Sequence, residues 1–166
     1  VSHFLPQIAG EYRSKFMNSF NAILNGSLSG VLSWEQWEAL CQRILDGSNG
    51  WYVYAVGNGI PDSELNGAAL AVVLEEIDAL LRRDHDQDYC GIVYVDDFTE
   101  PTLIKIYDPN NLGSSCGSSG RQIPPGWILS RMPPEPIASD IPLPNNRRRW
   151  WQGLLQKLSP GDSAPE

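Results

Sequence analysis

A chain of 166 residues that is 42% hydrophobic and holds six Trp can build one core, and it is too apolar to be disordered throughout. Its net charge of −8 is uneven: residues 1–140 carry 8 Lys/Arg against 18 Asp/Glu, a net −10, whereas residues 141–166 carry 4 against 2, a net +2. The acidic body excludes nucleic-acid binding through that body, because phosphates would be repelled over most of its surface.

Residues Gln7 to Asn25 read as an amphipathic helix, with Ile8, Tyr12, Phe16, Phe20 and Ile23 on one stripe of a 3.6-residue period. Gly26-Ser27-Leu28-Ser29-Gly30 then reads as a loop. Ser33 followed by Gln36 is a capping box opening a second helix, which lines up Trp34, Trp37, Leu40, Cys41 and Ile44 and stops at Gly47. Trp51 to Val56 is aromatic and β-branched and reads as a strand. A third helix is expected from about Ser63 to Arg83, with Ala68–Leu74 buried nearly all round. Gly91–Val95 and Thr102–Tyr107 are strands joined closely enough for an antiparallel hairpin, and Trp127–Ser130 is a fourth strand.

This order predicts an α+β fold: a small mixed, mostly antiparallel four-stranded sheet with about three helices packed on it, plus a C-terminal basic amphipathic helix or tail. The strand–helix–strand unit Trp51–Val95 is expected to cross over into parallel strands. Residues 1–132 form the single domain, 133–144 a Pro-rich linker, 145–158 the basic segment and 159–166 a disordered tail. No run reaches the roughly 18–20 apolar residues of a membrane span. The opening Val1-Ser2-His3-Phe4 has no basic stretch leading into an apolar block, so no intact export signal is read. Three cysteines, few and odd in number, suit a reduced, cytoplasmic setting, although Cys90 and Cys116 are also candidates to pair.

The basic segment is the leading functional candidate. Wound as a helix, it puts Trp150, Trp151, Leu154, Leu155 and Leu158 on one face behind Arg147, Arg148 and Arg149. Three arginines oppose the helix dipole at an N-terminus and Gly153 weakens the helix by about 1 kcal/mol, so the segment orders only when its apolar face is covered. The cover is a partner protein, the chain's own acidic body, or an anionic membrane surface. Trp and Arg are the residues that most often anchor interfaces, which favours the partner and makes Arg147, Arg148, Arg149, Trp150, Trp151, Leu154 and Leu155 its binding set.

Other sites are weighed against this one. Asp84, Asp86 and Asp88 alternate as in a calcium loop, but Tyr89 stands where an EF-hand needs Gly and Val95 where it needs Glu, so a solvated link is the plainer reading. Cys116, in the Gly/Ser loop Asp108–Gly120, is a candidate nucleophile with His85 or His3 as base, which would make an enzyme or small-ligand domain. Tyr94-Val95-Asp96-Asp97 resembles, over four residues, the Tyr-x-Asp-Asp turn of reverse transcriptases. The chain is too short for the rest of a polymerase palm, so the aspartates read as turn formers. There is no Walker loop, no strand-linked GxGxxG, no GxSxG and no HExxH, and no cofactor is implied. The expected function is therefore that of a small acidic accessory protein docking on a partner through its basic tail.

Overall fold

The computed structural model describes residues 20–47, 50–111, 123–138 and 143–158. Within them the chain runs through helix α1 (20–24), β1 (Ser29–Val31), α2 (Trp34–Asp46), β2 (Tyr52–Ala55), α3 (Gly67–Asp84), β3 (Val93–Val95), β4 (Leu103–Ile106), β5 (Trp127–Ser130) and α4 (Asn145–Leu158). The class is α+β, as expected. The sheet has five strands in the order β1-β3-β4-β5-β2, and every neighbouring pair is antiparallel.

Two expectations about the sheet change. Residues Ser29, Gly30 and Val31, read as loop, form edge strand β1 by pairing with Val95, Tyr94 and Val93. Three residues with a Gly and a Ser carry no local β signal, so only this pairing defines the strand. The parallel crossover also fails: β2 and β3 stand at separate places in the sheet, with β4 and β5 between them. Strand β5, buried at all four positions, takes β2 as its neighbour from Tyr52↔Ser130 to Ala55↔Trp127. Helix α3 begins at Gly67 rather than near Ser63 because Leu65 bridges Trp51 through both backbone groups (2.8 and 2.9 Å) and is held extended.

The sheet has one thick face and one thin face, set by the two-residue alternation of its strands. Val53, Val93, Val95, Ile104, Ile106 and Leu129 point into the larger core, under Trp37, Leu40 and Ile44 of α2, the α3 stripe Leu70-Val73-Leu74-Ile77-Leu80-Leu81, and Trp151 and Leu154 of α4. On the other face Tyr54, Leu103 and Ile128 meet Phe20, Met132 and Ile137. The Ser33/Gln36 capping box opens α2 as expected. Helices α2 and α3 are further joined by the buried Trp37 indole, which donates to Asp78 Oδ1 (2.8 Å).

At the β3–β4 turn, Asp96 accepts from the Thr102 and Leu103 amides (2.9 and 3.0 Å) and from the Thr102 hydroxyl, and Asp97 Oδ1 accepts from the Thr99 amide (2.8 Å). Both aspartates are turn formers. Part of the Pro-rich stretch, residues 133–138, lies against the thin face, where the Ile137 amide donates to the Tyr54 hydroxyl (3.1 Å). Among the described residues, no helix is long and apolar enough to cross a membrane.

Phe20 is fully buried against the thin face. Phe20→Ala should therefore cost about 3–5 kcal/mol in urea unfolding. A loss below about 1 kcal/mol would mean that α1 contributes little to that core.

Candidate functional site

Helix α4 lies on its own body, and a buried guanidinium fixes it there. The Arg147 side chain is 5% exposed and donates from Nε to Asp108 Oδ2 (2.8 Å) and from one terminal nitrogen to Asp108 Oδ1 (2.9 Å) and Asp84 Oδ2 (2.8 Å). The fork on Asp108 matches the planar geometry in which Arg binds a carboxylate most strongly. Asp108 follows β4 and is 6% exposed, while Asp84 ends α3 and is 21% exposed. Asp84 also accepts from Arg83 Nε (2.9 Å), so two arginines face two carboxylates and the cluster is neutral overall. Asp108 Oδ1 additionally accepts from the Asn110 amide (2.9 Å).

The cluster answers the dipole problem posed by the arginine run. A cation at the first turn of α4 is tolerated because carboxylates from two other elements surround it. Burial by itself would lower the Arg147 pKa, but the hydrogen bonds to Asp108 and Asp84 outweigh it and the net shift is upward. Asp84 is held at about 2 against an ordinary 3.8; the Arg83 hydrogen bond lowers it most, burial opposes, and Arg147 lowers it further.

Apolar packing completes the attachment. Trp151 and Leu154 are buried in the larger core, and Leu158 and the half-buried Trp150 pack against it. Trp150 stands edge-on to Trp127 with ring centroids 5.8 Å apart. Burying Leu154 contributes about 1.5–3 kcal/mol, and Trp151 more. Of the seven residues expected to meet a partner, Arg147, Trp150, Trp151 and Leu154 are turned onto the chain itself, the alternative weighed from sequence. Arg148, Arg149 and Leu155 are exposed. A cavity of about 30 Å³ beside Arg147 and Asp108 has room for a water or two and is too small for an organic ligand.

The other candidate residues are placed as follows. Asp84 turns inward to two arginines, so its oxygens are already engaged, and Asp86 and Asp88 are exposed. Among the described residues no three His, Cys, Asp or Glu side chains cluster to hold a metal ion. His85 is buried, and its Nε2 lies 2.7 Å from the Cys90 carbonyl oxygen. A carbonyl only accepts, so this nitrogen carries the proton and cannot serve as a base. The ring is further wedged between Trp34 and Tyr89, with centroids 6.2 and 6.3 Å away, and acts as a brace at the end of α3. Cys116 lies outside the described residues. Burial pushes the Cys41 thiol up to about 12 and also raises Cys90, so neither is an activated nucleophile.

From sequence, Asp108 stands out only as the first residue of the Gly/Ser loop, not as a partner of Arg147. It sits 39 residues from Arg147 in the chain, and its one local clue is a carboxylate two residues after the apolar strand Leu103–Ile106.

With this geometry established, comparison with protein-family models, with curated proteins and with solved structures finds no match. The class that fold and site define is an antiparallel α+β domain with a helix clamped across its helical face by a buried Arg–Asp cluster.

Arg147→Met should cost about 3–5 kcal/mol in chemical denaturation, because it leaves Asp108 buried without its counter-charge. A carboxyl depressed in the folded state adds stability above its unfolded pKa and loses it as pH falls through the folded value, so the Asp84 contribution should vanish between about pH 4 and about pH 2. Asp84→Asn should flatten the stability profile in that window, and an unchanged acid limb would contradict the assignment.

Proposed function

We propose that this chain is a non-catalytic accessory protein that binds a partner through the outward, basic face of α4. One observation carries the reading: burial splits the arginine run, with Arg147 doubly paired inside while the exposed Arg148 and Arg149 have no carboxylate partner among the described residues. In a chain of net charge −8, two adjacent unpaired arginines on a fixed helix make a local surface of opposite sign to the body. Leu155, 42% exposed, lies seven residues beyond Arg148 on the same helical stripe.

The attachment in cis changes what kind of docking this is. A loose peptide would lose conformational freedom on binding, whereas a helix already held in place meets its partner at lower entropic cost. The same attachment weighs against a membrane. With Arg147 taken into the body, Arg148, Arg149 and Lys157 would contribute about 1 kcal/mol each at an anionic surface. Trp151 and Leu154 are buried and cannot insert. A protein surface bearing carboxylates around an apolar patch is the better complement.

Arg148→Glu/Arg149→Glu should leave the unfolding midpoint nearly unchanged, since both side chains are exposed, and should weaken partner capture at least tenfold. Capture by the unaltered chain should also fall with added salt. Pull-downs with both forms across a salt series check this, and equal recovery by the two would refute the proposal.

A further inference from the structure

We propose that the surface met by Arg148 and Arg149 is the α2–α3 groove of a second copy of this chain, in a two-fold dimer of helical layers. The inference rests on the reading above and names the partner of that same face. The groove has a volume of about 430 Å³. Cys41, Leu45, Ala71 and Leu74 line it together with the exposed Glu38 and Glu75. On each helix the lining residues step by three and four, so the groove runs lengthwise between two parallel stripes, the shape that accepts a helix.

Charge is complementary in kind and in number. Three carboxylates line the groove, Glu38, Glu75 and Asp78, against one cation, Arg82, which bonds both Glu38 (2.8 Å) and Asp78 (2.9 Å). Two negative charges remain, and the exposed Glu75 has no ion-pair partner among the described residues. The outer face of α4 offers Arg148 and Arg149, which have no carboxylate partner among the described residues. Apolar surface is matched too: Leu45 is 37% exposed at the groove and Leu155 is 42% exposed on α4.

Both halves of this complementary pair belong to one helical layer, which favours a second copy over an unrelated protein. Helix α3 contacts α2 on one flank and α4 on the other. Asp78 and Arg82 face α2, whereas Glu76 faces Lys157 of α4 at 3.9 Å. Positions 76 and 78 are separated by roughly 200° around a helix, so the groove and helix α4 lie to either side of α3. A two-fold axis passing over α3 sets each α4 above the groove of the other copy, a self-complementary contact that closes at two. The contact is small and carried by charge, so the dimer forms weakly and is sensitive to salt.

Sedimentation of the full chain over a hundredfold concentration range tests the proposal. The mass should rise from the 18.4 kDa of one chain towards twice that value, and high salt should reverse the rise. Arg148→Glu/Arg149→Glu and, separately, Glu38→Arg/Glu75→Arg should each be monomeric with unaltered circular dichroism, since all four positions are exposed. Mixing the two variants should restore a dimer, because the acidic helix of one then meets the basic groove of the other while the second contact pairs an unaltered helix with an unaltered groove. A chain that stays monomeric, a dimer indifferent to both reversals, or a mixture that fails to associate would overturn the inference. If the chain stays monomeric but still captures another protein through Arg148 and Arg149, this inference falls and the function proposed above stands.

Discussion

The buried contact of the Arg147 guanidinium with Asp108 and Asp84 decides the rest of this molecule. It joins three elements distant in sequence: the turn after β4, the end of α3 and the first turn of α4. Isolated, the 14-residue α4 would be marginal, with cations at its positive end and Gly153 in its middle. Set against two carboxylates, the same charge becomes an attachment point, and the tryptophan–leucine face closes over the core. The cluster is balanced, with Arg83 as the fourth member, and among the described residues no buried side-chain polar atom lacks a hydrogen bond. Such a cluster adds less to stability than its geometry suggests, since removing charges from water offsets much of their attraction. Its effect is to fix one position for α4, because any other seating leaves Asp108 buried and unpaired.

Fixing the helix also divides its surface. Arg147, Trp151 and Leu154 serve the fold, while Arg148, Arg149 and Leu155 face outward. The interaction surface we propose is thus a by-product of the clamp: the buried residues determine which of their neighbours are displayed, and on what backbone.

Local structure was legible in the sequence wherever a local signal existed. The Ser33/Gln36 box marks the start of α2, and the β-branched runs mark β2 to β5. The amphipathic spacing of residues 145–158 marks α4. What escaped reading was set by partners far along the chain. Strand β1 exists because Tyr94 and its neighbours pair with a Gly-containing triplet. The seat of β2 beside β5 follows from pairing across more than seventy residues, which strand–helix–strand reasoning assigned elsewhere. The alternation of Asp84 with Asp86 and Asp88 suggests a calcium loop, whereas the contact Asp84 makes is with Arg147, 63 residues away. The arginine run did carry one usable hint: cations against a helix dipole imply carboxylates brought from other elements.

The central claim, that α4 is an integral part of the folded body, is tested most directly by native-state hydrogen exchange on the full chain. The account predicts that the amides of Gln152 to Leu155 exchange with an opening free energy close to that of central strands β4 and β5, because α4 cannot leave without exposing the core and a buried charge cluster. Exchange of those amides at the rate of an unstructured peptide, while β4 and β5 stay protected, would contradict it.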